Sequence, residues 1–174
     1  ISGHGADATR TYILFMAPPD KDLNWDDAGL AGTLKFLNRV WRIVHDLAGK
    51  AYDKSVFAMK ASAEEVDKAT KTLLCERHRC VAKVTCDFER NNLNTALSGI
   101  MELCNAAANY LKIASSEERL GDSETKAFSL GVAEVITKTL APYAPHITEE
   151  LWQKILEHED SVHQQSWPEF DKDL

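Results

Sequence analysis

The sequence holds little that would interrupt helices or carry chemistry unaided: 8 glycines, 5 prolines and 4 cysteines in 174 residues. No apolar run approaches the roughly 18 residues that a membrane-spanning helix needs. The start lacks a basic segment leading into a short apolar core, so neither a span nor a signal peptide is expected. Also missing are the phosphate-cradling G-x-x-x-x-G-K-[ST] loop, the dinucleotide G-x-G-x-x-G and the zinc-binding H-E-x-x-H. Repeats and low-complexity tracts are absent, and nothing marks a domain boundary within residues 1–174. There is no surplus of positive charge either. The net charge of −7 argues against a simple nucleic-acid-binding module, which would carry excess Lys and Arg. That objection concerns the average field, whereas a phosphate responds to the field beside it. What is present is ordinary soluble composition, 44% hydrophobic and 27% charged. A chain this long can bury about two thirds of its unfolded surface.

The cysteines, Cys75, Cys80, Cys86 and Cys104, form no C-x-x-C pair. Cys75-x-x-His78-x-Cys80 has the residue types of a metal site, yet on a helix Cys75 and His78 are neighbours while Cys80 turns away. Structural zinc favours separated two-ligand knuckles, so buried reduced thiols and no metal are the expectation.

Helical periodicity runs through every long segment. Asp7 is placed to cap a first helix that ends before Pro18-Pro19, because proline lacks an amide and disfavours helix in the residue before it. In a second helix from about Asp27, Leu30, Leu34, Leu37, Trp41, Val44 and Ala48 step by four and three, with Phe36, Val40, Ile43 and Leu47 alongside. Lys35, Arg39, Arg42 and Asp46 are left as its polar strip, and Gly49 ends it. Ser62 and Glu65 form a capping box for a third helix, which Asn91-Asn92 breaks. A fourth from about Leu93 carries Leu97, Ile100, Cys104, Ala107 and Leu111, and Ala106–Ala108 would let a neighbour come close. The polar stretch 115–123 reads as a loop before a fifth helix from about Glu124. Pro142 and Pro145 force a corner, with Pro145 suited to the first turn of a last helix. The tail, 158–174, lacks periodicity, and VHQQSW within it reads as extended. The fold expected is an all-α bundle of five to six helices, a single domain over 1–174.

Several of these segments carry a family resemblance. Gly5–Trp41, GADATRTYILFMAPPDKDLNWDDAGLAGTLKFLNRVW, resembles a stretch of bacterial-type leucyl-tRNA synthetases in which a GAD-x-x-R helix leads through a PP-x-KDL-x-W turn into a FLNRVW helix. LAPYAPHITEELW at Leu140–Trp152, LNTALSGIMELCN at Leu93–Asn105 and the trailing SVHQQSWPEFD at Ser161–Asp171 are similar to later motifs of that family, in the same order. The resemblance covers nearly the whole chain from Gly5, leaving Ile1–His4 as linker. It implies the anticodon-binding helical domain of a class I aminoacyl-tRNA synthetase of leucyl type. The parent would join leucine to its tRNA in the cytoplasm as a monomer, using ATP and magnesium. The HIGH-like and KMSKS-like signatures that handle ATP in this family are absent. This segment is therefore expected to hold no cofactor and to be catalytically silent, docking leucine-accepting tRNA for a catalytic domain of the same chain. The alternatives are the equivalent domain of an isoleucyl, valyl or methionyl enzyme, against which PPDKDLNW and FLNRVWR speak, and a helical protein-interaction module, which the acidic charge favours.

Lys35, Arg39 and Arg42 are the candidate RNA-binding residues. Their spacing aligns cations on one helix face, and arginine's planar fork suits phosphate. A solvated face with Asp46 as intrahelical partner is the other reading. Lys68, Lys71, Arg79 and Lys83 are weaker candidates because Glu64, Glu65, Asp67 and Glu76 are interspersed. His146 is expected to order the proline corner and Glu149 and Glu150 to be solvated. Trp41 and Trp152 are expected in the core, with Trp25 and Trp167 pinning irregular segments. Asp7 and Arg10 are expected to pair or to anchor the first helix against the catalytic domain, and His78 to be structural.

Overall fold

The structure, a computed structural model, describes residues 3–16, 25–49, 63–114 and 123–171. These form six helices: α1 (Ala6–Met16), α2 (Asp27–Leu47), α3 (Ala63–Glu89), α4 (Leu93–Ala114), α5 (Ser123–Leu140) and α6 (Pro145–Glu150). α6 widens into a π-helical turn at Leu151–Ile155, and a 3-10 turn follows at Val162–Gln164. The described residues contain no strand, so the architecture is all-α, as the periodicity predicts.

α2 is seated at its start by local chemistry. The Asp26 carboxylate accepts from the Ala28 and Gly29 amides at 3.1 and 2.9 Å, satisfying donors that no helix partner can reach. Tyr12 of α1, buried, accepts the Asp26 amide proton on its hydroxyl at 2.7 Å. α1 and α2 come so close here that a Cβ on Gly29 would lie 2.7 Å from the Tyr12 ring. At the other end Gly49 takes φ 72°, the left-handed conformation that glycine adopts freely, and its amide donates to Asp46.

The α3–α4 hairpin turns where the sequence places the break. Asn91 adopts φ 57°, and the Asn92 amide closes on the Asp87 carbonyl at 2.8 Å. Ala96, Gly99 and Ala107 keep the two helices close enough for Leu73, Val81, Val84, Leu97, Ile100 and Leu103 to be buried between helices. Each such aliphatic side chain contributes about 1.5–3 kcal/mol on leaving water.

Asp7 departs from expectation. It does not cap its own helix. Its carboxylate accepts from the His146 and Ile147 amides at 3.4 and 2.7 Å, capping α6 from across the bundle, and His146 Nδ1 lies 2.7 Å from the same carboxylate. Since a carboxylate only accepts, that ring nitrogen carries the proton. Arg10 donates to the Pro142 carbonyl at 3.1 Å and Thr11 to the Tyr143 carbonyl at 3.2 Å. Asp7 and Arg10 thus anchor α1 to the proline corner and not to each other. His146 orders that corner as expected, with Pro145 in the first turn of α6.

Glu149 is not simply solvated. It accepts from the Ser161 hydroxyl and the Val162 amide, both at 3.0 Å, tying the tail to α6, while Glu150 is exposed. The VHQQSW segment begins as a 3-10 turn and not as extended chain, because Ser161 caps the His163 amide. Beyond it the tail runs irregularly along α3. Trp167 Nε1 donates to Thr85 at 2.8 Å with its ring against Phe88, and the Asp171 amide donates to His78 Nδ1 at 2.9 Å. Trp152 is 2% exposed and stacks on His158, whereas Trp41 packs against the core only half-buried. The helix axis rotates Trp41 towards the rim because Val40 and Val44 take the central positions. The capping serine Ser62, the 17–24 turn and most of the 115–123 stretch lie outside the described residues.

Candidate nucleic-acid interface

Burial of Leu30, Leu37, Val40, Ile43, Val44 and Leu47 fixes which way α2 faces. Lys35, Arg39 and Arg42 are therefore driven outward, and all are exposed. The structure brings Arg39 against α4: its Nη1 donates to Asn105 Oδ1 at 2.7 Å. Among the described residues Arg39 makes no ion pair with a carboxylate. That charge lies near the buried Cys104 thiol, which burial pushes up to about 12 against the pull of Arg39.

The cations of α3 are placed differently. Arg79 lies 3.0 Å from Glu76 and 3.3 Å from Glu102, and Lys83 lies 3.5 Å from Asp87 with its stem packed on Gly99. Lys68 and Lys71 are exposed on the same helix as the exposed Glu64 and Asp67.

Sequence reasoning missed Asn105 as part of the surface. The signal available was an exposed asparagine in the middle of a helix, where it is a poor helix former. Trp25, 53% exposed, meets Tyr12 edge-on at 5.1 Å and donates to Asp27 at 2.9 Å, so it is pinned to the start of α2. Cys80 and Cys104 are buried and Cys86 half-buried, but Cys75 is exposed, contrary to expectation, because it lies on the outer face of α3. Burial, with Cys104 and nearby glutamates, pushes the Cys80 thiol up to about 12. Among the described residues no three metal-ligating side chains come together.

A family model described as the anticodon-binding domain of tRNA ligase matches residues 70–174. The chain belongs to that family. Relatives include a leucine–tRNA ligase from Synechococcus sp. (strain JA-3-3Ab), 40% identical over 181 residues that cover 98% of this chain and 19% of the relative. The leucine–tRNA ligase of Trichormus variabilis is likewise 40% identical over 172 residues, 98% of this chain and 18% of its own length. The fold matches the LeuRS of Agrobacterium radiobacter, crystallised as a ternary complex with tRNA and LeuAMS. The TM-score is 0.73 and the identity 26%, over 98% of this chain and 21% of that one. The chain spans about a fifth of the length of the curated relatives it matches.

Proposed function

We propose that this chain is the tRNA-docking domain of a leucyl-tRNA synthetase. The observation that carries the reading is that relatives named leucine–tRNA ligases align with 98% of the chain at 40% identity. The domain occupies residues 1–174 and is catalytically silent alone. It holds leucine-accepting tRNA for a catalytic domain elsewhere in the same cytoplasmic, monomeric parent, which supplies ATP and magnesium binding. Docking of this kind lowers the barrier by positioning, with no bond made or broken here.

Lys35, Arg39 and Arg42 form the tRNA-facing strip. Contacts of this kind go to phosphates, so they release counterions and carry no base information. The test is tRNA affinity across a salt series in the full-length parent, with leucine-accepting and unrelated tRNA, for wild type and Arg39→Ala. The variant should lower the slope of log affinity against log salt by about 1 and weaken both RNAs equally. Its stability should change by less than about 0.5 kcal/mol. Unchanged affinity and slope would remove Arg39 from the interface.

A further inference from the structure

We propose that Asn105 is a positioning residue of this surface: it holds the Arg39 guanidinium as a rigid phosphate fork without neutralising it. The proposal rests on the tRNA-facing reading of Arg39. Its own basis is the geometry between α2 and α4. Arg39 Nη1 donates to Asn105 Oδ1 at 2.7 Å, and guanidinium has no acceptor, so the amide must turn its oxygen to Arg39 and its NH2 group away. The Nε–Nη2 edge of Arg39 makes no hydrogen bond or ion pair among the described residues. That edge carries parallel N–H donors matched to paired phosphate oxygens.

The neutrality of the amide is the point of the arrangement. A long exposed arginine samples many rotamers and loses them on binding, so a partner that fixes it beforehand strengthens binding. A carboxylate would fix it as well, but would cancel the charge that attracts phosphate. The same bundle shows that alternative at Arg79, held by Glu76 and Glu102. Glu102 lies one turn before Asn105 on the same exposed face of α4, and it is Arg79 of α3 that engages it, at 3.3 Å. α4 is a stiff mount for Asn105, because Leu103, Cys104 and Ala107 around it are buried.

The test is a double-mutant cycle in the full-length parent, reading tRNA affinity at several salt concentrations together with Tm. Asn105→Ala should weaken binding about three- to tenfold with Tm unchanged, and should add nothing in the Arg39→Ala background. Asn105→Asp separates positioning from mere packing. It keeps or strengthens the pair, and so Tm, yet should weaken binding at least as much as Arg39→Ala and lower the salt slope by about 1. Additive losses, a silent Asn105→Ala, or an Asn105→Asp variant that binds like wild type would each overturn the positioning role. Silence of Arg39→Ala itself would overturn the strip reading, and this proposal with it. A normal loss on Arg39→Ala beside a silent Asn105→Ala would overturn the proposal alone.

Discussion

Two cation-bearing surfaces flank α4, and they differ in the company their charges keep. On the α2 side Arg39 rests 2.7 Å from a neutral amide. On the α3 side Arg79 sits within 3.3 Å of both Glu76 and Glu102, and Lys83 is 3.5 Å from Asp87. A net charge of −7 therefore says little about either surface. Acids of α3 and α4 pair with Arg79 and Lys83, whereas Arg39 is held by an amide. Whether a domain attracts an anion depends on where its carboxylates fold to, since fields beyond about 8–10 Å are screened.

α4 carries Glu102 and Asn105 one turn apart on its exposed face, the first reached from α3 and the second from α2. Leu103, buried on the inner side of the helix, helps to fix it. Leu103→Ala should cost about 2–5 kcal/mol, read as a lowered urea midpoint, because the cavity closes only in part. A loss below about 1 kcal/mol would mean that α4 is not clamped, and the contrast between its two neighbouring cations would lose its basis.

Gly29→Ala acts on the α2 side alone. Its methyl would sit 2.7 Å from the buried Tyr12 ring, so the start of α2 must shift, at about 1–3 kcal/mol. Thermal denaturation gives the cost. No change would show that Tyr12 yields freely and that α2 is not held in register with α1.

Arg79→Ala sharpens the contrast by being quiet. Arg79 is 62% exposed, so losing its pairs should change stability by less than about 0.5 kcal/mol. Affinity for tRNA should stay at the wild-type value at every salt concentration. A loss equal to that of Arg39→Ala would erase the distinction between the two surfaces.

The smallest effect is one of pH. Burial, then the Arg77 charge, holds the His78 imidazole below its ordinary range, with Asp171 opposing. The Asp171 amide donates to Nδ1 at 2.9 Å, and Arg77 Nη2 lies 3.3 Å from Nε2. Because the folded state prefers the neutral ring, this contribution is complete above the unfolded value of about 6.5. It is lost as pH falls from there through the lower folded value. His78→Asn keeps an acceptor for Asp171 but does not titrate, so the acid-side decline in Tm should flatten. An unchanged decline would show that His78 does not contribute to it.

The helices were legible because periodicity, prolines and Asn91-Asn92 are local signals. The burial of Val40, Ile43 and Val44 determines the polar strip, and an apolar stripe can be read directly from spacing. What joins the helices was not legible. Asp7 reaches His146 and Arg39 reaches Asn105 across separations of 139 and 66 residues, and no local pattern encodes such pairs. Glu149 looked solvated for the same reason, since its partners arrive with a tail that has no periodicity. Trp41 shows the limit of a stripe, which ranks residues as apolar but does not say which sit at its edge.

The bonds from α1 to the proline corner also bear on how a nascent chain would fold. Thr11 and Asp7 find their partners 132 and 140 residues later. On a ribosome adding about 5–20 residues per second, that wait is on the order of ten seconds. During it, α1 has α2 to lean on through Tyr12 and Gly29, while the polar groups that will hold Pro142, Tyr143 and Ile147 stay hydrated. The earliest made of these six helices is thus among the last to be completed, and until then its inner face is open to whatever shelters unfinished chains.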